Sequence, residues 1–173
     1  ISGLINGWNQ TKPEEASKFL DEALEDPIWG PLFPDLQFSI ELDQAGYSRL
    51  IKSLQIGRAP SWTYKYLGFG RRTDPLMVTQ IAALMSLLAK KLDSGLPSAI
   101  EVIYMAIHCT DKKDEKYKTE LRTYCLEFVD ELDWSHIDLA NENLLHHLSR
   151  LIEFALDSPE SDGTVTSTLN RLI

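Results

Sequence analysis

The amino-acid sequence predicts an all-α domain of about eight short helices, stacked as antiparallel hairpins into an irregular α-solenoid or a compact multi-helix bundle. One indication is a repeated motif. LQIGR at 54–58 resembles LGFGR at 67–71, and each copy is followed within four residues by a proline, Pro60 or Pro75. Glycine accepts the left-handed conformation that ends a helix, and proline fits the first turn of the next helix. The other indication is that apolar residues recur at helical spacing through most of the chain.

The first third of the chain predicts two helices and a compact apolar loop. Helical spacing of Leu4, Ile5 and Trp8 indicates a first helix, and Pro13 opens a second that ends near 26–27. Residues 26–35 combine prolines with large apolar residues, so we expect this loop to pack against the helices. Segment 36–42 alternates apolar and polar residues, which is a strand pattern. Because a lone strand would have no partner, we interpret it as a short helix.

The middle of the chain predicts four helices separated by glycines. We expect one helix from Asp43 to a terminating Gly57, a brief helix over 60–67, and a strong amphipathic helix that ends at 93–95. Pro97 then opens a segment whose residues 99–107 are apolar on nearly every side. We therefore expect it to be the central helix.

The last third predicts two long helices and the start of another. A charged loop at 110–116 precedes an amphipathic helix over 117–132, and a linker leads to a helix over 144–155. A loop at 157–163 precedes residues 169–173, which read as the interior of another helix. We expect residues 1–173 to form a single helical-repeat domain, which is a piece of a larger protein. Among the two architectures we favour the solenoid, although no named repeat consensus is met.

Composition limits the classes of function. The formal net charge is −9, which argues against broad wrapping of nucleic acid. No apolar run approaches the roughly 20 residues that cross a bilayer, so we expect no membrane span. The two cysteines are too few for a disulfide framework, which favours the reducing cytoplasm.

The strongest candidate for a binding surface is the segment 58–72, which carries four cations, four aromatic residues and no acid. This mixture is typical of protein-binding hot spots, and it can also stack bases and hold phosphates. The alternative is packing, in which the arginines satisfy carbonyls at helix ends and the aromatics fill a seam between helices. The candidate site residues are Arg58, Trp62, Tyr64, Lys65, Arg71 and Arg72.

Histidine and cysteine offer little support for catalysis. His108 and Cys109 are adjacent, and a small helical enzyme using this pair is one alternative. However, Cys109 and Cys125 are sixteen residues apart, without the close ligand pairs of a zinc site. The remaining histidines, His136 and the pair at 146–147, match no motif. No phosphate-binding glycine loop occurs either, so we expect neither a metal nor a cofactor.

The run from Trp62 to Met105 resembles a known class of helical repeats. Its shared positions are aromatic residues at 62–66, glycine and arginine at 70–71, Asp-Pro-Leu at 74–76, and the apolar stripe that follows. These positions are similar to helical-repeat regions of very large bacterial multidomain proteins of the STAND-NTPase or phage-defence type. The resemblance implies a non-catalytic scaffold or sensor module that contacts another protein or other domains of its own chain. Nucleic-acid or anion binding through 58–72 is the other alternative.

Overall fold

Every regular element in the described part of the chain is helical. The computed structural model describes residues 2–134, 137–138 and 140–157. Its α-helices are α1 (Ser2–Thr11), α2 (Pro13–Ala23), α3 (Phe33–Gln37), α4 (Gln44–Ile56), α5 (Val78–Ala89), α6 (Gly95–His108), α7 (Glu115–Asp130) and α8 (Glu142–Leu156). Three 3₁₀ segments complete the fold, at Gly30–Leu32, Ser61–Arg71 and Thr110–Lys112. The predicted all-α class is confirmed.

Helix α6 lies at the centre of the fold. It packs against the 3₁₀ segment Ser61–Arg71, α5 and α8, and α7 packs on α8. Its residues Ala99, Ile100, Val102 and Ile103 are fully buried, as expected for a helix that is apolar on nearly every side. One continuous core runs from α1 to α8. Of the two predicted architectures, the compact multi-helix bundle is the one that matches this enclosure of a central helix.

The glycines that were predicted to mark corners act in two different ways. Gly57 caps α4 in the left-handed conformation with φ 71°, and its N–H donates to the Ser53 carbonyl at 2.9 Å. Gly70 is also left-handed, with φ 66°. Gly95 instead begins α6, and a Cβ there would lie 2.1 Å from the Leu88 carbonyl oxygen. At this corner the glycine is required by close approach of the backbones, not by a left-handed turn.

The segment 36–42 is not a strand. Its first two residues end α3, which begins upstream at Phe33, and a turn and an irregular stretch follow to Asp43. Leu36, Phe38 and Leu42 are all buried against the helices. The alternation in sequence therefore reflects residues of a short helix and turn that face one core, and the helical interpretation is right only for the start of the segment.

Other boundaries differ by a few residues from the sequence-based expectation. α5 ends at Ala89, before Leu92, and α6 begins two residues before Pro97. The brief helix expected at 60–67 is the 3₁₀ segment Ser61–Arg71, which is kinked at Phe69 and Gly70. The predicted loop after 157 and the helix expected at 169–173 lie outside the described residues.

The close approach at Gly95 predicts a selective loss of stability. Gly95→Ala should lower the free energy of unfolding by about 1–3 kcal/mol, because the new methyl group must displace the backbone of α5. Urea unfolding followed by circular dichroism measures this difference. Gly7→Ala in α1 is the matched control, since nothing lies within 4 Å of a Cβ there. It should leave the protein unchanged or slightly more stable. Equal effects of the two substitutions on the free energy of unfolding would contradict the close approach of the backbones at Gly95.

Candidate functional site

Three aromatic side chains form a continuous exposed row along the 3₁₀ segment Ser61–Arg71. The ring centroids of Trp62 and Tyr66 are 6.3 Å apart, and those of Tyr66 and Phe69 are 6.0 Å apart. The three residues are 49%, 39% and 41% exposed, respectively. We call Trp62, Tyr66 and Phe69 the aromatic row. Contiguous exposed apolar surface of this kind is typical of interaction sites.

The opposite side of the same segment is fixed to the core. Tyr64 is buried, its hydroxyl lies 2.7 Å from the Ser53 hydroxyl, and burial raises its pKa to about 12. Leu67 is also buried, and a Cβ added to Gly68 would lie 3.0 Å from the Cβ of Met105 in α6. Tyr64, one of the predicted binding residues, therefore belongs to the packing of the seam. The row is held outward by the residues that alternate with it.

Asp93 fastens the start of the segment to the turn between α5 and α6. Its carboxylate accepts hydrogen bonds from the Ser61 backbone N–H at 2.9 Å and the Ser61 hydroxyl at 2.7 Å. These bonds hold the pKa of the Asp93 carboxyl below its usual range. The neighbouring Leu92 is fully exposed. This turn therefore carries an exposed leucine next in sequence to the aspartate that bonds to Ser61.

The Arg71 side chain makes its polar contacts within the protein. Its guanidinium pairs with Asp74 at 2.6 Å and with Asp111 at 3.1 Å, and it donates to the Cys109 carbonyl at 3.2 Å. The hydrogen bonds to Asp74 and Asp111 raise the pKa of Arg71. Cys109 caps the C-terminal end of α6, where carbonyls lack partners within the helix. Arg71 thus donates to a carbonyl at a helix end, as the packing interpretation predicts. That end belongs to α6 and not to the segment in which Arg71 itself lies.

Arg72 also bonds to backbone carbonyls. It donates to the carbonyl of Phe38 at 3.3 Å, of Tyr66 at 3.1 Å and of Phe69 at 2.8 Å. Its guanidinium lies 5.6 Å from the centroid of the Phe38 ring. Two of these three carbonyls belong to residues of the aromatic row. Arg72 therefore supports the backbone of the row instead of offering its charge to a ligand.

The two remaining predicted cations are Arg58, which is exposed, and Lys65, which is partly buried. Arg58 follows the Gly57 cap, and its aliphatic stem packs over Gly30, where a Cβ would lie 2.8 Å from the Arg58 Cδ. The Lys65 ammonium lies 5.6 Å from the Tyr66 ring centroid. Neither side chain pairs with an acid in the ranges that the structure covers. Of the six predicted site residues, Trp62 and Arg58 are exposed and Lys65 is partly exposed.

A second cluster joins α6 to α8 around Tyr104. The Tyr104 ring stacks on His147 with centroids 4.2 Å apart, and it meets His108 edge-on at 4.5 Å. His146 lies 5.8 Å from the same ring. An open groove of about 410 Å³ runs beside this cluster, lined by Ile107, His108, Arg150, Glu153, Phe154 and Asp157. Among the described residues, no group of histidines, cysteines and acids has the arrangement of a metal site, and His136 lies outside them.

Neither cysteine has the electrostatic surroundings of a nucleophile. Burial raises the pKa of the Cys109 thiol, although Arg71 nearby opposes that shift. Burial raises the pKa of Cys125 to about 12. A thiol attacks as its thiolate, and both surroundings favour the neutral form. The ring of His108, the residue before Cys109, packs edge-on against Tyr104.

Two features of these surfaces were missed by sequence reasoning. The amphipathic helix was expected to reach 93–95, but α5 stops at Ala89 and leaves Leu92 exposed. The histidine cluster was not predicted because the pair at 146–147 matches no motif. The signal for it was the spacing of four between Tyr104 and His108, which places both on one face of α6.

Comparison of the chain with protein-family models, curated proteins and solved structures returned no match. The resemblance to helical-repeat regions of large bacterial proteins therefore stays a prediction. Within the residues that the structure covers, no helix combines the length and the apolar character needed to span a bilayer. The aromatic row, defined by its own geometry, is thus the main basis for a functional proposal.

The histidine cluster predicts a pH dependence of stability. Partial burial holds the pKa of His147 below its usual range, and the nearby His146 and His108 act in the same direction, whereas Glu101 opposes them. Between that lowered pKa and the ordinary value of about 6.5, the unfolded chain binds the proton more readily. The free energy of unfolding should therefore fall as the pH drops through about 6.5.

Urea titrations at pH 7.5 and at successively lower values down to about 5 measure this change in the free energy of unfolding. Histidine is the side chain that ordinarily titrates in this pH range. His147→Gln should show a smaller loss of stability across this range than the unmodified chain. Identical pH profiles for the two proteins would contradict the prediction.

Proposed function

We propose that this chain is a non-catalytic protein-interaction module whose partner docks on the aromatic row. The observation that carries the proposal is the contiguity of three aromatic rings, each about two-fifths to one-half exposed, on one side of a short segment. Tryptophan and tyrosine are enriched among the residues that dominate binding energy at protein interfaces. The partner is another protein or another domain of the same polypeptide.

The free energy of burial favours this use of the row. Apolar surface removed from water contributes about 25 cal/mol per Å², and aromatic side chains carry large apolar areas. In the free chain, Trp62, Tyr66 and Phe69 leave part of that area in water. A partner that covers the row removes this area from water, and the free energy of burial then stabilises the complex.

The anchoring of the segment supports the same conclusion. The buried Tyr64 and Leu67, the hydrogen bonds from Ser61 to Asp93, and the three carbonyl contacts of Arg72 all fix its backbone. Binding to a surface that is already ordered avoids much of the entropy cost of ordering side chains and loops. The row is therefore suited to recognition without prior rearrangement.

Single-stranded nucleic acid is the second candidate, because exposed aromatic rings also stack bases. Two observations make it less suited to this chain. Arg71 and Arg72 are engaged with carboxylates and carbonyls, so two of the four cations in 58–72 are not free to follow a phosphate chain. The net charge of −9 also opposes a polyanion.

The setting that we propose is a scaffold or sensor segment of a larger bacterial protein in the cytoplasm. The two cysteines are free, and Cys125 is buried, which suits a reducing compartment. An all-helical bundle with an interaction surface is compatible with such a segment. The module itself would contribute binding, and any catalytic activity would belong to other parts of its protein.

A displayed random-peptide library selected against the full chain tests the proposal. Peptides that bind should lose at least tenfold in affinity for the double variant Trp62→Ala/Phe69→Ala, because the apolar contact area is removed. Leu4→Ala is the control, since it removes an exposed apolar side chain from α1. It should leave the affinities unchanged.

Circular dichroism of the same proteins checks that the helices persist. A collapse of the helical signal in the double variant would show that the row is part of the core and would contradict the proposal. Failure to recover any peptide whose binding depends on Trp62 or Phe69 would contradict it as well.

A further inference from the structure

The surroundings of the aromatic row differ in charge from the rest of the molecule. In a chain of net charge −9, the segment 58–72 has no acid, and Lys90 and Lys91 directly precede the exposed Leu92. Arg58, Lys65, Lys90 and Lys91 form no ion pair with any acid that the structure describes. The aromatic row thus lies within a local excess of positive charge.

The nearby acids offset part of this positive charge. The Asp93 carboxylate accepts two hydrogen bonds from Ser61 and lies close enough to Lys91 to be affected by its charge. Glu25, which lies close enough to Arg58 to be affected by its charge, pairs with Lys52 at 2.8 Å. The cations around the row are therefore only partly compensated within the protein.

The turn between α5 and α6 contacts the chain at the start of this segment. The Lys91 ammonium lies 3.8 Å from the position of a Cβ on Gly57, the residue before Arg58. Asp93 is bonded to Ser61, the residue before Trp62. We use the name docking face for the aromatic row together with Leu92, bordered by Arg58, Lys65 and Lys91.

We infer that the docking face binds an acidic amphipathic helix of a partner protein. This inference rests on the proposed function and specifies the partner. The apolar stripe of the helix would cover the aromatic row and Leu92, and its Asp and Glu residues would meet Arg58, Lys65 and Lys91. Complementary charge of this kind directs encounter and selects among partners.

The spacing of the row agrees with a helix. Residues four apart on one face of an α-helix are separated by about 6 Å along its axis, at about 1.5 Å per residue. The two ring spacings in the row are 6.3 and 6.0 Å. An extended peptide has a similar repeat. A proline-rich one can dock on aromatic rings but needs no acids to meet the cations near the row, and other extended peptides commonly add to the edge of a sheet. No strand is present in the described residues to provide such an edge.

A second displayed library separates this inference from the proposed function. Its members are helical peptides of about 18 residues, or five turns, with an apolar stripe at positions i, i+4, i+7 and i+11 and randomised flanking positions. Selection against the full chain should enrich Asp and Glu at the flanking positions. A chosen acidic peptide should bind at least tenfold tighter than the same peptide with every acid replaced by Lys.

Charge variants of the protein locate the effect. The triple variant Arg58→Gln/Lys65→Gln/Lys91→Gln should bind the acidic peptide at least tenfold more weakly. Its affinity should also depend less on salt between about 50 and 300 mM, because salt screens the charge pairs that the variant removes. The control is Lys12→Gln/Lys18→Gln/Lys116→Gln. It makes the same change in net charge on α1–α2 and α7 and should preserve both the affinity and the salt dependence.

Each other outcome has a distinct meaning. Binders that depend on Trp62 but carry neutral or basic flanks would overturn the acidic partner and leave the proposed function standing. Loss of binding in both triple variants alike would show an effect of net charge alone and would overturn the docking face. Tighter, Trp62-dependent binding of an oligothymidine strand than of any selected peptide would overturn the protein partner in favour of single-stranded nucleic acid.

Discussion

The packing of the 3₁₀ segment Ser61–Arg71 on α6 is the constraint on which the rest of the structure depends. Helix α6 is apolar on nearly every side, so it must be enclosed, and this segment covers one of its faces. Gly68 allows the backbone to approach Met105 closely, and Tyr64 and Leu67 turn inward beside it. Enclosing α6 in this way directs Trp62, Tyr66 and Phe69 outward. The proposed docking face is therefore a consequence of how the core is closed.

Charged groups fix the same segment at both of its ends. Asp93 accepts hydrogen bonds from Ser61 at the start, while Arg71 and Arg72 bond to carboxylates and carbonyls at the end. Arg71 adopts a left-handed conformation with φ 59°, which is uncommon for a residue with a side chain. Its three polar contacts compensate for that conformation. Residues that resemble a phosphate-binding cluster in sequence thus act mainly to hold an apolar row in place.

The sequence predicts the central helix and two of the glycine corners well, because both depend on local chemistry. Gly57 and Gly70 take the left-handed corners that their context indicates, and the apolar run 99–107 is the buried α6. It does not predict which aromatic of the segment faces inward. A 3₁₀ segment has about three residues per turn instead of 3.6, so a helical pattern assigns its faces wrongly. The sequence prediction groups Tyr64, Arg71 and Arg72 with Trp62 because cations and aromatic residues alternate in this segment, but their contacts are internal.

Unfolding measurements on two residues of the same segment test most directly whether it has an inward face and an outward face. Leu67→Ala should lower the free energy of unfolding by about 2–5 kcal/mol, as is usual for a buried leucine. Phe69→Ala should lower it by less than about 1 kcal/mol, as for most surface substitutions. Equal losses for the two variants in urea titration would show that Phe69 is part of the core, and the outward row would not exist.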